Sequence, residues 1–558
     1  MSLRQIYAAP LFLLSQFAFA QSAAPDMVIV NAHIYTVNPA QPNAEAVAIT
    51  NGKFTAVGSS REVRALAGPK TRVLDAGGKT IIPGLADNHL HSAGGGPGVD
   101  LSNARSLPEA LKLIEDRVKQ TKPGEVVITN ADWHEAQLKE QRLPYRKDLD
   151  KVAPKTPVVV VRGGHEYILN SAALNKWDIN KATKEPPGGR ITRDENGELN
   201  GELVDRAKAL VTLPDPPPPT IESLVAEHKK LNAAGLTSIR YPGASIEHYR
   251  LLQEMQKRGL LTIRVNHLLR AFVNTPEQLN AALDKWGVKP DEGDEWLRNG
   301  GLKLGVDGGF EGGWMTELYE KPFDEGGKFY GINTTNLAAF TALAKAANRG
   351  GWRVATHAVG DAAIDEVLAG YAAADAEKSI KDRRWSIEHA FIPREDHYPK
   401  MKSLGLAISV QDHLYLAGPS LVKMWGAKRA AWVTPVRSFL DHGIEVSGGT
   451  DAPVVPYPPL WVFYHWITRD TISGGVLGAD QRISRQEALR VETQNNAYLT
   501  FEENTKGSIQ TGKVADLLLL PQDIMTMPEK DIPTMKVLLT MVGGKIVYQR
   551  EDYKPSIR

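Results

Sequence analysis

The sequence predicts an α/β protein: a (β/α)8 TIM-like barrel, a small β-sandwich domain built from both termini, and an insertion after the first barrel strand. Three observations predict it. Apolar strand-like runs alternate with helical stretches through the middle of the chain, the pattern of a parallel sheet covered by helices. Both ends carry short alternating runs separated by Asn-Gly and Gly-Gly turns, as in MVIVNAHIYTV, AEAVAITNGKFTAVG and MKVLLTMVGGKIVYQ, the pattern of hairpins in a two-layer β unit. A chain of 558 residues has room for a barrel with insertions and one further domain.

The elements follow in order. Residues 1–20 read MSLRQIYAAPLFLLSQFAFA, with Arg4, an apolar stretch and Ala18-Phe19-Ala20 as a small-x-small site. This is the pattern of a secretory signal cleaved after Ala20. It predicts an exported protein, periplasmic or secreted, and the absence of cysteine fits an oxidising compartment. No later run has the length and apolarity of a bilayer span, so none is expected once the signal is removed. Residues 26–79 and 490–558 are expected to form the composite sandwich, and residues 80–489 the barrel. Barrel strands are expected near 80–91, 236–243, 261–270, 301–307, 352–358, 384–390, 405–411 and 444–451. EVVITNADW and TPVVVVRGGH exceed what a barrel needs and precede a stiff proline run, Pro216 to Pro219. They place an insertion at 99–219 on the first strand-to-helix connection.

Charge narrows the partners. With 66 basic and 65 acidic residues the net charge is +1, and no basic stripe suggests nucleic acid. A small-molecule substrate is the expected partner, and nothing in the sequence opposes assembly into a homo-oligomer. No phosphate-binding loop, dinucleotide fingerprint or serine nucleophile elbow stands out, so no organic cofactor is expected.

Chemistry concentrates at the ends of the strand-like runs. His89 and His91 close TIIPGLADNHLH, His357 lies in WRVATHAVGD, His389 in WSIEHAF and Asp451 in GIEVSGGTDAPV. Imidazoles and a carboxylate suit a divalent cation, and the strand C-termini are where such barrels carry their sites. Residues two apart on a strand face one side, so His89 and His91 are expected to point into one pocket. Lys303 interrupts the apolar run GLKLGV, where a charged amine is costly unless it is paired or chemically altered. The set suggests a two-metal hydrolase. Weaker candidates for substrate contact are Trp133 from the insertion, Asp307 four residues beyond Lys303, and Gln411 and His413 after the seventh strand.

The motifs IIPGLADNHLH, PVVVVRGGHEYILNSAAL, PPGGRITRDENGELNGEL, LKLGVDGG, THAVGD, IEHA, SVQDH, GGTDAPV and GSIQTGKVADLLLL run from about residue 27 to 548. In them the chain resembles the amidohydrolase superfamily, specifically the amidohydrolase-3 branch of YtcJ-like proteins and N-substituted formamide deformylases. The resemblance implies two divalent metals, by default Zn2+. His89, His91 and Asp451 would hold the more buried one, and His357 and His389 the second. Lys303 would bridge them as an N-carboxylated lysine; with a free amine, the same residues describe a one-metal site. It also implies metal-activated hydrolysis of a C–N bond of the amide type, other than a peptide bond. Asp451 would be the general base and His165, in GGHEYILNS, a donor to the oxyanion. Glu311 and Trp314 stand where the family more often has a Ser/Arg/Thr-containing stretch, so the leaving group is not carried over. A lactone, cyclic amide or carbamate remains open as substrate. A deaminase is disfavoured because Gly360 stands three residues after His357, where such enzymes carry Glu, and a binding protein without catalysis is the remaining alternative.

Overall fold

The apolar runs between residues 85 and 449 are buried and rich in Val, Ile and Leu, as strands covered on both faces must be. A computed structural model describes residues 24–214, 218–320 and 328–557. Its central sheet has eight strands: Leu85–Asp87, Leu236–Ala244, Arg264–Leu269, Leu297–Gly305, Val354–Ala358, Ser386–His389, Ala407–Gln411 and Val446–Gly449. Each pairs in parallel with the next. The Asn88 amide reaches Gly448 O at 3.1 Å and brings the first strand to the last, so the barrel is nearly closed.

Helices cover the outside. Thr220, Ser245, Thr275 and Asn336 each accept from the amide three residues on, starting Ile221–Ala233, Ile246–Lys257, Pro276–Trp286 and Leu337–Arg349. Their apolar faces supply Leu252, Met255, Phe340 and Leu343 to one core with Val265 and Leu302 of the strands. No helix of the described residues is long and apolar enough to cross a membrane.

The two surplus runs do stay out of the barrel. Val127–Ile128 and Val158–Arg162 join Glu166–Leu169, Leu199–Asp205 and Gly189–Arg193 in a separate five-stranded sheet. Two further sheets draw on both ends of the chain. One orders Ser556–Ile557, Arg72–Asp75, Met27–Val30, Ala46–Thr50 and Lys53–Gly58; the other orders Lys545–Gln549, Leu539–Val542, Leu517–Leu520, Thr80–Pro83, His33–Tyr35 and Asn43–Ala44. Period-two alternation sorts the first strand: Met27 and Ile29 enter the core shared by the two sheets with Leu517 and Leu539, while Val28 and Val30 face Val63 of a short helix.

Two expected boundaries move. The run 80–91 is not one barrel strand, because Thr80–Pro83 pairs antiparallel with Leu517–Leu520 and only Leu85–Asp87 enters the barrel. Residues after 490 do not all belong to the terminal sheets. The helix Gln494–Leu499 packs on the barrel, where Asn495 Nδ2 donates to Val446 O at 2.8 Å and Asn496 Nδ2 donates to Ala86 O at 3.2 Å and Gly448 O at 3.1 Å. These amides satisfy carbonyls at the seam between first and last strands. The expected signal at 1–20, and Pro216 and Pro217 of the proline run, lie outside the described residues.

Candidate metal centre

The loops after the first and eighth strands are laced together. Asp87 accepts from the His89 amide at 2.9 Å and from Thr450 Oγ1 at 2.6 Å. The Asp451 amide donates to His89 O at 2.6 Å, and the His91 amide to Ala452 O at 2.7 Å. This lacing, rather than strand alternation, brings the pair to Asp451, since the first strand ends at Asp87. The two imidazoles differ accordingly: the His89 side chain is 1% exposed and that of His91 39%. His389 and Asp451 both sit in left-handed backbone, with φ of 76° and 63°. For residues with a Cβ this stores about 1–3 kcal/mol each and marks a functional turn.

Side chains converge here. Asp451 Oδ1 lies 3.4 Å from His89 Nε2 and 3.1 Å from His91 Nε2, and Oδ2 lies 3.2 Å from His413 Nε2. Ligand atoms of His89, His389 and Asp451 all fall within 4.8 Å of one another. The His357 and His389 rings meet edge to face with centroids 4.5 Å apart, and Lys303 Nζ is 3.3 Å from His89 Nε2. A cavity of about 810 Å³ opens over the strand ends, and all six expected ligands line it: His89, His91, Lys303, His357, His389 and Asp451. The tightest trio thus mixes residues that the sequence reading divided between two metals.

The donor chemistry fits a divalent cation. His89 Nδ1 is held by Glu388 Oε2 at 2.6 Å, and His389 Nδ1 by Gln411 Oε1 at 2.6 Å. Both acceptors fix the proton on Nδ1 and leave the Nε2 lone pair free, the arrangement of metal-binding histidines. Among the described residues no donor meets Asp451 Oδ1 with hydrogen-bond geometry, although the atom is buried. A buried carboxylate oxygen in that state beside two imidazole lone pairs calls for a cation. Burial opposes ionisation of Asp451, but the imidazoles packed around it, His89 first and then His413 and His91, outweigh burial and hold the carboxyl well below its usual range. Burial lowers His89 to about 3, keeping it neutral and able to ligate. Burial likewise takes Lys303 from 10.5 down to about 7, against the charges of Glu388 and Asp451.

Supporting residues divide from lining ones. Glu388 also takes Arg240 Nη1 at 3.0 Å and Ser386 Oγ at 2.6 Å, so Glu388 and Arg240 form a buried brace that sequence reasoning missed. Glu388 precedes His389 in IEHA, and strand alternation assigns it the opposite face; the turn at His389 lets both reach the site. Gln411 and His413 do not line the cavity as substrate contacts. Gln411 props His389, and His413 props Asp451 between Phe310 and Phe391, with ring centroids at 5.1 and 5.3 Å. Trp133 is also corrected: it is buried in the insertion's own core, its indole donating to Val161 O at 2.8 Å. Asp307 lines the cavity, yet its carboxylate accepts from the amides of Trp314, Val359 and Gly360 at 2.9–3.1 Å and fixes the loop. His165 stacks at 6.0 Å from His357, and its Nδ1 is held by Asp205 Oδ1 at 2.6 Å. Asp205 is a second residue that the sequence did not single out.

The amidohydrolase-family profile matches residues 72–548. The chain belongs to the amidohydrolase family. As a member it is a metal-dependent hydrolase acting on carbon–nitrogen bonds. This amidohydrolase is 31% identical over 543 residues to the N-substituted formamide deformylase of Arthrobacter pascens, covering 94% of this chain and 98% of that one. It is 26% identical over 534 residues to the protein named YtcJ in Bacillus subtilis, covering 93% and 98%. Its fold is shared with an uncharacterized metal-dependent hydrolase from Pyrococcus horikoshii OT3, at TM-score 0.66 and 22% identity over 90% of this chain and 99% of that one.

Proposed function

We propose that this amidohydrolase cleaves an amide-type, non-peptide C–N bond of a small molecule, with Asp451 as general base. The observation that carries the reading is the buried Asp451 Oδ1 facing two imidazole Nε2 atoms at the mouth of an 810 Å³ cavity. The likeness to N-substituted formamide deformylase supports an N-formyl or other N-acyl amine as substrate. His89, His91, His389, Asp451, Lys303 and His357 would hold two divalent cations, zinc by ligand type. When bound, such cations polarise a carbonyl and lower the pKa of water towards 7.

The chain's own residues do the rest. Asp451 takes the proton of the attacking water as the O–C bond forms, then returns it to the nitrogen as the C–N bond breaks. His165, held by Asp205 on Nδ1, is the candidate to meet the developing oxyanion through its other ring nitrogen. Lys303, at about 7, is substantially neutral at neutral pH. A neutral amine adds to carbon dioxide: the N–C bond forms, an Nζ proton leaves, and an anionic oxygen ligand results. We place the protein outside the cytoplasm, periplasmic or secreted, on the signal-like run at residues 1–20.

Metal analysis with turnover tests the reading. The expected result is two zinc ions per chain, a carbamate carbon resonance after labelling with carbon-13 bicarbonate, and hydrolysis of N-formyl amines in preference to lactones. Asp451→Asn should cost about 10⁴-fold in kcat/KM. One metal with a free Lys303 amine would establish the one-metal form, and preference for lactones would move the bond from C–N to C–O.

A further inference from the structure

Arg270 follows the third barrel strand, Arg264–Leu269, and lines the same cavity. Its place is prepared by two glycines. A Cβ on Gly243 would lie 3.3 Å from Arg270 Cδ and 3.2 Å from Lys303 Cγ; one on Gly305 would lie 3.8 Å from Arg270 Nη2 and 3.5 Å from His357 Cβ. The guanidinium therefore lies over the strands that carry Lys303 and His357. Phe272 stacks against it at 4.8 Å and is 87% exposed at the cavity wall.

Among the described residues no carboxylate side chain serves this cation, and the carbamate proposed on Lys303 would be committed to the metals. Arg270 has no side-chain hydrogen bond or ion pair with any described residue. Three carboxylates line the cavity, and each is committed elsewhere: Asp451 to the imidazole cluster, Asp307 to three backbone amides, Asp205 to His165. The neighbouring cations are also without carboxylate partners: Arg206 donates to Thr334 O at 2.9 Å and Lys208 to Gly164 O. A half-buried guanidinium in such a setting is poorly compensated. Its planar fork matches a carboxylate bidentately.

Resting on the hydrolytic reading above, we infer that the substrate is an acid: an N-acyl amino acid whose carboxylate seats on Arg270 and whose apolar side chain meets Phe272 while its amide faces Asp451. The uncharged N-substituted amide is then the poorer substrate. Arg206 and Lys208 add positive potential that draws the anion in.

Two probes that differ by one carboxylate test it: N-formylphenylalanine and N-formyl-2-phenylethylamine. Zinc-loaded wild type should prefer the acid by roughly 50-fold in kcat/KM, the order expected of a charge-assisted pair. Arg270→Met should erase the preference through KM of the acid and leave the neutral amide nearly unchanged, while Arg270→Lys restores part of it. Calorimetry on metal-free protein, where nothing turns over, should show the same discrimination, with melting temperatures confirming that the variants fold. Equal binding of the two probes by wild type, or an equal loss on both in Arg270→Met, overturns the acid site. Hydrolysis without preference overturns the acid site and leaves the hydrolase standing. Discrimination in binding with no turnover of either amide removes the proposed N-acyl amide cleavage and leaves the acid site standing.

Discussion

Lys303 lies in a strand between leucines, and its burial takes the amine from 10.5 to about 7. Between those values the unfolded chain binds a proton that the folded chain has lost. Stability of the metal-free protein therefore rises with pH across that window. The contribution is at most about 1.4 kcal/mol per pH unit. Urea midpoints of metal-free wild type should climb between about pH 7.5 and about pH 9.5, and those of Lys303→Met should climb less. Equal slopes would mean that the amine stays charged in the fold. Lys303 was legible in the sequence because a lone amine in an apolar strand is anomalous wherever it occurs. Glu388 was not, since its partners, His89 and Arg240, lie 299 and 148 residues away and no local pattern announces them. Trp133 misled for the opposite reason: a motif position next to site-like residues packs inward once its indole finds Val161 O.

At the scale of elements, the strands and their order could be read because a parallel barrel writes each strand as an unbroken apolar run. What could not be read is where one such run passes between two sheets, as Thr80–Pro83 and Leu85–Asp87 do. The tie between insertion and barrel was equally hidden. Arg162, the last residue of Val158–Arg162, meets Glu166 at 2.7 Å, Glu135 at 3.2 Å and Glu311 of the loop after the fourth barrel strand, all of them buried. His165 is three residues beyond Arg162, and Asp307 four before Glu311. One guanidinium therefore holds both cavity walls in register. Arg162→Met should cost about 3–5 kcal/mol, since it strands buried carboxylates, read as a lower melting temperature. It should also raise proteolysis in the loop around Glu311. Adding Glu311→Gln should recover part of the loss by removing one stranded charge. A double variant no more stable than the single would show that the tie does not run through Glu311.

At the scale of the whole molecule, the two chain ends meet around the start of the barrel. Leu517–Leu520 lies between Thr80–Pro83 and Leu539–Val542 in the six-stranded sheet, so the segment leading into the first barrel strand is held by residues more than four hundred positions later. Ile509, Leu517, Leu519, Leu538, Leu539 and Met541 fill the shared core with Ile29, Val47 and Ile81. Asp516 binds Arg264 at the base of the third barrel strand at 2.7 Å and accepts from the Gly543 amide at 2.7 Å, locking sheet to barrel. Burial of six large apolar side chains is worth on the order of 10 kcal/mol, comparable with the net stability of a whole domain. A chain ending at Ser508 would lose all of it, leave Thr80–Pro83 as an unpaired apolar edge, and strand Arg264 as a buried cation. The expected outcome is an aggregated product without cooperative melting, recoverable when residues 509–558 are supplied as a separate polypeptide during refolding. A truncated chain that stayed soluble, melted in one transition and bound divalent metal as tightly as the full chain would show instead that the barrel closes and organises its site without the terminal sheets.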